Sequence, residues 1–433
     1  MRSTISSQVR KGHLLIPLLL LAVVLAVAMQ FPGSPLDPLS TAAWGLLLLV
    51  AVLFTHDAMR IRGYFPFFVA CVAGLVCVSA IGAVSVGTPP FSPLLIVVGK
   101  ALMVYVIGYL LPFVGITEGK LSWVLAVYVL AVVALVLAIR ADYFPSLEQW
   151  SSQTVYAYSP KNSAGQIIAV AVILLLWFFQ PSNRLVNAAR VAAASLLGGF
   201  LLILQSRASV VALAVCLIFY LVSRANRRFL LLPLAAALIA AVQIPSIASI
   251  VDRAFFISKY AGTNIDTFSS GRITVWVRAL DVIRDNLLFG TGNYYVDNMY
   301  INVLANVGLL GSVFVFLAWA GRASRNLRVI PRRALISTSL ATTVQLLTVF
   351  YMVESLLEGL PPFGPGVSSM VFWLLSGFYD GTGVKYGAGT GVQRLANPAA
   401  YRAADLSNWR PVGLRYPDWS SGDRTESAHR SGE

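Results

Sequence analysis

The sequence predicts an all-α fold: a polytopic bundle of about 12 transmembrane helices, with a long periplasmic loop that contains an amphipathic surface helix. Composition is the first observation, because 58% of the 433 residues are hydrophobic and only 12% are charged. A soluble domain carries about 25% charged residues, so lipid is the expected solvent for this chain. Lipid offers no partners to backbone polar groups, which restricts long apolar runs to helices.

Apolar runs of membrane-spanning length are the second observation. A span needs about 20 mostly apolar residues. The first run follows Arg2, Arg10 and Lys11 and resembles a signal peptide, but we expect it to remain as an uncleaved span. The predicted spans are residues 14–31, 39–55, 64–86, 93–114, 121–139, 162–179, 188–205, 208–222, 229–250, 299–321, 334–353 and 366–379.

The distribution of charge is the third observation, and it predicts the orientation. The chain carries 32 lysines and arginines against 18 acidic residues, a net charge of +14. The basic residues cluster in alternate short loops, which the positive-inside rule assigns to the cytoplasm. We therefore expect a multi-pass protein of the bacterial inner membrane with both termini in the cytoplasm, and we expect no nucleic-acid partner.

Three regions follow from this pattern. Residues 1–160 hold about five spans and the first long periplasmic loop. Residues 161–380 hold the remaining spans and a second long periplasmic loop at 251–298, and loops of such length in a compact protein are usually functional. Residues 381–433 lose hydrophobic periodicity and are predicted to form a disordered cytoplasmic tail.

The second long loop contains a helical pattern over residues 271–289. Trp276, Leu280, Ile283 and Leu287 recur at helical spacing and are interrupted by charged residues. This pattern predicts an amphipathic helix on the outer membrane surface, with a serine at 269 or 270 as its N-cap.

Several kinds of chemistry are not expected from this sequence. Its three histidines, His13, His56 and His429, all fall on the predicted cytoplasmic side. Its three cysteines lie within apolar runs, where they are typical of buried small hydrophobes. No phosphate-binding loop is present, and Gly290-Thr291-Gly292 is too short to bind a dinucleotide. We expect neither a metal nor a cofactor.

Arginines are the first candidates for function on the periplasmic side. Arg207 lies between two spans with almost no loop, where an arginine is costly unless it is paired or faces a polar cavity; the alternative is an arginine that snorkels to the headgroups. Arg272, Arg278 and Arg284 lie on the predicted surface helix, where a solvated face is the alternative. Two arginines from separate segments would suit a pyrophosphate, because a guanidinium binds phosphate oxygens in bidentate fashion.

Polar residues where the chain re-enters the membrane form the second group of candidates. Asp297 and Asn298 precede Tyr300 at the start of a span, where either could also act as a helix N-cap. Asn302 and Asn306 follow Asn298 at spacings of four, which places three amides on one helical stripe.

The ends of two other spans complete the candidate set. Glu354 and Glu358 lie one turn apart at the periplasmic end of a span, where carboxylates can also simply terminate a helix. Lys161 and Asn162 begin the sixth predicted span from the same side.

The order of these motifs resembles the bacterial O-antigen ligase and O-antigen polymerase family. The resemblance covers residues 161–377, about half the chain, and no single motif is specific. The motifs that carry it are Lys161-Asn162-Ser163-Ala164-Gly165, Gln205-Ser206-Arg207-Ala208, Ser270-Gly271-Arg272 with Trp276 and Asn286-Leu287-Leu288-Phe289-Gly290-Thr291-Gly292, Asp297-Asn298-Met299-Tyr300 with Leu304 and Gly308-Leu309-Leu310-Gly311, and the segment from Glu354 to Trp373.

The resemblance implies a metal-independent, inverting glycosyltransferase that uses a glycan linked to undecaprenyl diphosphate. By motif, the family's two functional arginines correspond to Arg207 and Arg272, which are implied to hold the diphosphate. The family's ligases carry a histidine where this sequence has Asp297, and this departure favours a polymerase. The expected partners are the lipid-linked oligosaccharide, membrane lipid, and a chain-length regulator and a flippase of the same pathway.

Three functions stay open from the sequence. The first is a polymerase of O-antigen, capsule or exopolysaccharide repeats, with Asp297 as the general base and Glu354 or Glu358 as alternatives. The second is a ligase that transfers a lipid-linked glycan to another acceptor. The third is a secondary transporter or lipid flippase, a class that often shows repeated halves and a binding site at the midplane.

Overall fold

A computed structural model describes residues 2–29, 37–55, 63–89, 92–143, 161–204, 206–223, 271–328, 338–364 and 366–396, with short pieces at 243–245, 248–249 and 252. The regular structure of these residues is entirely helical. The helices are α1 Arg2–Ala28, α2 Asp37–Thr55, α3 Tyr64–Val86, α4 Pro93–Leu110, α5 Glu118–Tyr143, α6 Lys161–Ile173, α7 Arg184–Leu204, α8 Arg207–Ser223, α9 Arg272–Asp285, α10 Met299–Leu327, α11 Thr338–Leu357 and α12 Val367–Ala396.

Length and apolar composition identify this bundle as a multi-pass membrane protein. Seven helices of the described part are long and apolar enough to cross a membrane: α2, α3, α4, α5, α7, α10 and α11. The apolar parts of α1, of α6 with its extension, and of α8 are shorter. Of the twelve predicted spans, 229–250 lies almost wholly outside the described residues, as does the part of the long loop before residue 271. The predicted number of spans therefore stays a prediction.

The end of α6 is irregular and is closed by an arginine. A π-helix, Leu174–Phe178, continues α6. The guanidinium of Arg190 on α7 donates hydrogen bonds to the carbonyl oxygens of Leu176, at 3.3 Å, and of Phe179. Arg190 thus caps the end of this helix.

The predicted tail boundary at residue 381 does not match the structure, because α12 continues to Ala396. The physical reason is close helix packing. A Cβ atom on Gly377 would overlap the backbone oxygen of Tyr105 on α4, and one on Gly381 would overlap that of Tyr109. Small residues four apart allow two helix backbones to approach, so α12 packs against α4 beyond the predicted span at 366–379. Residues 397–433 lie outside the described part.

Helix α10 is broken at Gly308, whose φ of 62° and ψ of −170° are not helical. Tyr300 lies eight residues before the break and Phe316 eight residues after it, yet their ring centroids are 5.7 Å apart. In a straight helix their Cα atoms would be separated by about 24 Å. The two halves of α10 therefore fold back towards each other in a V, and the second half alone has the length of a span.

The segment from Leu287 to Gly292 lies against the break in α10, and we term it the strap. The amides of Thr291 and Gly292 donate to the carbonyls of Ala305 and Asn306, each at 2.8 Å. Those carbonyls belong to the C-terminal end of the first half-helix. At the N-terminal end of the second half, the amides of Leu309 and Leu310 donate to the carbonyls of Leu287 and Leu288, at 2.8 and 3.2 Å. Both helix ends thus find partners inside the protein, the condition under which non-helical backbone is tolerated at membrane depth.

The amphipathic helix is present as α9, and its position on a membrane surface stays a prediction. Ile283 is buried, whereas Leu280 and Leu287 are 55% and 51% exposed. The N-cap position is Gly271, in the left-handed conformation and without a side-chain cap, instead of a serine. Arg272, the first residue of α9, contacts Glu358, as described below.

A buried ion pair joins α10 to α12 near the C-terminal end of α10. Nη1 of Arg322 lies 2.6 Å from Oδ2 of Asp380, and both side chains are buried. The hydroxyl of Tyr105 donates to the same Oδ2 at 2.7 Å, and Nε of Arg325 lies 3.3 Å from Oδ1. The pair was not predicted, because Arg322 and Arg325 follow the predicted span at 299–321 and Asp380 follows the one at 366–379.

Candidate functional site

A ladder of polar contacts joins α6 to α11. Nδ2 of Asn162 donates to Oε1 of Glu358 at 2.8 Å. One turn deeper in both helices, Nε2 of Gln166 donates to Oε2 of Glu354 at 3.4 Å. Because Asn162 begins α6 and Glu358 follows the last residue of α11, the two helices run antiparallel. We term the end of the bundle that contains these contacts the site end.

Helix α8 reaches the same ladder through a hydroxyl. Oγ of Ser209 donates to Oε1 of Glu354 at 2.7 Å, and Oγ of Ser206 donates to Oγ of Ser209 at 3.2 Å. The helices come this close because residue 165 is a glycine, where a Cβ atom would overlap the Ser206 hydroxyl. Glu354 is fully buried and has two donors for its two oxygens, as a buried carboxylate requires.

Arg272 brings α9 to the top of the ladder. Its Nη2 atom donates to Oε1 of Glu358 at 3.2 Å and lies 3.6 Å from Oδ2 of Asp297. One guanidinium therefore bridges two carboxylates from separate segments of the chain. The side chain of Arg272 is one-quarter exposed, so the guanidinium is accessible to a ligand while the two carboxylates hold it in place.

Asp297 is the most exposed of the three carboxylates. Its side chain is 36% exposed, compared with 7% for Glu358. Tyr295, two residues earlier, is 64% exposed. Burial and the adjacent Asp297 and Glu358 carboxylates raise the pKa of the Tyr295 phenol, which stays a hydrogen-bond donor at neutral pH. An exposed acid and an exposed ring thus lie next to a held cation.

Glu358 is poised to titrate near neutral pH. It follows the last residue of α11, just beyond the span at 338–357. Burial raises the pKa of its carboxyl from 4.5 to about 7, against the lowering effect of Arg272, and the Asp297 charge raises it further. The hydrogen bonds from Arg272 and Asn162 lower this pKa but do not offset burial.

The predicted amide stripe on α10 holds the loops around the site. Asn298 is the N-cap of α10, since its Oδ1 accepts from the amides of residues 300 and 301, and its Nδ2 donates to the Leu356 carbonyl at 3.0 Å. Asn302 accepts from the Val296 amide at 3.2 Å and donates to the Gly359 carbonyl at 2.8 Å. Asn306 accepts from the amide of residue 294 at 3.0 Å. Since these amides are used within the protein, we expect Asn298 to position the site.

The remaining predicted residues lie at varying distances from the Arg272 cluster. Arg207 is the first residue of α8, half-buried and two residues before Ser209, so it lies at the site end. Lys161 is the first residue of α6. Arg278 and Arg284 are exposed on α9, and no described contact joins them to the carboxylates. Tyr300 packs against Phe316 in the V of α10.

Two site residues, Gln166 and Ser209, were missed from the sequence. Both sides of the ladder show a spacing of four residues in the sequence: Asn162 and Gln166 on one side, Glu354 and Glu358 on the other. Their pairing was not visible, because nothing in one sequence aligns two helices almost two hundred residues apart. Within the described residues, no three His, Cys, Asp or Glu side chains are grouped closely enough to hold a metal ion.

Comparison with known proteins identifies a family that matches part of the chain. No curated protein matches the chain. The sequence model of one family, described as O-antigen ligase, matches residues 192–316. The matched region contains Arg207, Arg272 and Asp297 and ends before Glu354. This match confirms the predicted resemblance over residues 192–316.

Proposed function

We propose that the protein is an inverting glycosyltransferase that polymerises glycan repeat units linked to undecaprenyl diphosphate, on the periplasmic face of the inner membrane. The observation that carries this proposal is the Arg272 guanidinium, which is exposed on one side and held by two carboxylates on the other. The family match supports membrane-bound transfer of a lipid-linked glycan. The polymerase reaction and the identity of the lipid are our inference.

In the proposed reaction, a hydroxyl of the acceptor sugar attacks C1 of the donor sugar. A new C1–O bond forms while the bond from C1 to the diphosphate oxygen breaks with its electron pair on that oxygen, so the configuration at C1 inverts. Undecaprenyl diphosphate leaves with additional negative charge. Arg272, together with Arg207 at the start of α8, would stabilise that charge, and fixed cations are most effective where charge develops in the transition state.

Asp297 is the proposed general base that accepts the proton of the attacking hydroxyl. Of the three carboxylates it is the most exposed and so the most accessible to a sugar. Glu354 is fully buried and its oxygens are engaged by α6 and α8, which suits a supporting role. Glu358 is the second candidate for the base, because its pKa of about 7 matches a proton acceptor at neutral pH.

The proposal is tested by complementation of a deletion strain, with the glycan ladder resolved on a gel and the protein quantified in the membrane by an epitope tag. Arg272→Lys is expected to abolish long glycans, because one ammonium cannot replace a bidentate fork. Arg278→Lys on the same helix is the matched control and should support normal glycans. Equal activity of both variants would contradict the diphosphate role.

Asp297→Asn removes the proposed base without a change of shape. We expect normal amounts of protein and loss of transfer, and Arg207→Lys should lose most of the activity for the same reason as Arg272→Lys. If Asp297→Asn makes full-length glycan while Glu358→Gln does not, Glu358 is the base. If both make it, neither carboxylate acts as the base.

The deletion strain separates the polymerase from a ligase. A polymerase joins repeat units to one another, so its loss should leave single repeats on the carrier lipid. A ligase moves finished chains, so its loss should strand full-length chains on that lipid. Stranded long chains would contradict the polymerase assignment while they would leave the glycosyltransferase chemistry intact.

The broken helix α10 has a bearing on the transporter alternative. Transporters use the exposed ends of broken helices to bind ions and substrates. Here the carbonyls of residues 305 and 306 and the amides of residues 309 and 310 are hydrogen-bonded to the strap. The break therefore offers no free backbone groups at those four positions, which favours a structural role for it and supports the transferase.

A further inference from the structure

A small cavity opens beside the loop that leads from Glu358 to α12. Its volume is about 40 Å³, and its walls come from the end of α1, from α4, from the loop and from the start of α12. Lys100 is the charged side chain among the described residues that line it; the other walls include Val97, Phe363 and Trp373. Ser369 also lines the cavity, and its hydroxyl donates to the Gly366 carbonyl at 2.8 Å.

The cavity lies in the half of the bundle nearest the site end. Helices α4 and α12 run parallel, since Val97 lies beside Gly364 and Tyr105 beside Gly377, and α12 follows directly from the loop at the site end. Lys100 is seven residues into α4, which corresponds to a depth of about 10 Å along the helix. A lysine at that depth can extend its ammonium group towards the level of lipid headgroups.

The cavity also reaches the surface of the bundle. Lys100, Val97 and Met370 are half-buried, and Ile96 beside them is 50% exposed. Because α4 is a candidate membrane span, its exposed face is turned towards lipid. A ligand would enter from the membrane, present an anionic group to Lys100 and lay an apolar part against the bundle.

One loop joins this cavity to the candidate site. Phe363 and Gly364 line the cavity, while Glu358 and Gly359, a few residues earlier, contact Arg272 and Asn302. The loop is held between these points by the Ser355 hydroxyl, which donates to the Pro361 carbonyl at 2.8 Å, and by the Trp373 indole, which donates to the Pro362 carbonyl at 3.0 Å. A ligand at Lys100 would therefore lie against the segment that carries Glu358.

We propose that the Lys100 cavity binds the phosphate group of an anionic membrane lipid, as a second lipid site distinct from the one at Arg207 and Arg272. The size of the cavity suits a phosphate group, and its apolar walls strengthen a contact between an ammonium and a phosphate. That the lipid is a polyprenyl-linked acceptor rests on the proposed function. The existence of an anion site at Lys100 does not rest on the proposed function.

The test uses the full-length protein in nanodiscs of phosphatidylcholine, to which either undecaprenyl phosphate or phosphatidylglycerol is added as the probe. Native mass spectrometry measures the lipid retained per protein. We expect Lys100→Met to weaken retention about tenfold or more, because it removes one charge-assisted contact, and Lys100→Arg to keep it. Met370→Phe narrows the cavity and preserves the charge, so it should also weaken retention. It provides a second test in case Lys100→Met does not fold.

The probes distinguish the sources of the phosphate. Selective retention of undecaprenyl phosphate would support an acceptor site, whereas equal retention of phosphatidylglycerol would identify a general anionic phospholipid site. Retention of both probes by Lys100→Met at wild-type levels would overturn the proposal. Arg278→Lys, at an exposed arginine of α9, should leave retention unchanged, and the glycan assay of Arg272→Lys reports separately on the transferase proposal.

Discussion

Replacement of Glu358 by glutamine is expected to make the protein more resistant to alkaline pH. The carboxyl has a pKa of about 7 in the folded protein, compared with 4.5 as its ordinary value. Between these two pH values the folded state binds more protons than the unfolded state, so stability falls as pH rises through this window. A shift of that size corresponds to about 3 kcal/mol, fully lost above about pH 8.

Glutamine keeps the shape and the acceptor oxygen for Asn162 and Arg272 but cannot ionise. The assay is thermal unfolding of the purified protein, followed by tryptophan fluorescence at mildly acidic and mildly alkaline pH. Wild type and Glu358→Gln should unfold at similar temperatures at about pH 5, and the variant should be several degrees more stable at about pH 8.5. A difference in unfolding temperature that is the same at both pH values would refute the reasoning.

Two neighbours provide controls that change the effect in opposite directions. Arg272 lowers the pKa of Glu358, and Asp297 raises it. Arg272→Gln should therefore steepen the alkaline loss of stability, while Asp297→Asn should reduce it. If both substitutions change the alkaline loss of stability in the same direction, the neighbouring charges do not control the pKa of Glu358.

Two further predictions concern the scaffold. Asp380→Asn should destabilise the protein by about 3 kcal/mol or more, because it leaves the fully buried Arg322 without its counter-charge; thermal unfolding measures this, and a change below about 1 kcal/mol would contradict it. Gly308→Ala should sharply reduce the amount of folded protein, because its φ is 62° and a Cβ atom there would overlap the Leu288 carbonyl. Gly198→Ala, with no atom within 4 Å of its Cβ position, is the control and should be tolerated.

Local patterns in the sequence were sufficient to predict helices and caps. Hydropathy located the described spans, and the preference of aspartate and asparagine for helix starts offered an N-cap at 297 or 298, which the structure shows at Asn298. Motif order marked Arg272 and Asp297, which the structure brings within 3.6 Å of each other. Each of these features depends on residues a few positions apart or on a known family pattern.

Features that depend on how distant segments pack were not predictable from one sequence. The V in α10 is hidden because the residues on both sides of Gly308 are apolar, so hydropathy reports one continuous span. Its formation requires the strap from the preceding loop, which satisfies the broken backbone. The extension of α12 past residue 381 likewise depends on α4, whose backbone lies against Gly377 and Gly381.

In the proposed reaction, the position of Arg272 links donor binding to the protonation of Glu358. While Glu358 is ionised, the guanidinium is shared with it and with Asp297, so an incoming diphosphate must compete with two carboxylates. The negative charge of the diphosphate also raises the pKa of Glu358, and binding is therefore accompanied by proton uptake. Donor affinity should fall as pH rises above about 7, approaching a tenfold loss per pH unit.

Glu358→Gln should remove most of this pH dependence, since the amide does not titrate. Binding of undecaprenyl diphosphate to the purified protein, measured by calorimetry in buffers of different ionisation enthalpy, would count the protons taken up. Wild type should take up about half a proton per bound diphosphate near pH 7, approaching one proton at about pH 8, and the variant much less. Equal proton uptake by both proteins would show that another group titrates on binding. The diphosphate and the Glu358 carboxylate would then not compete for Arg272.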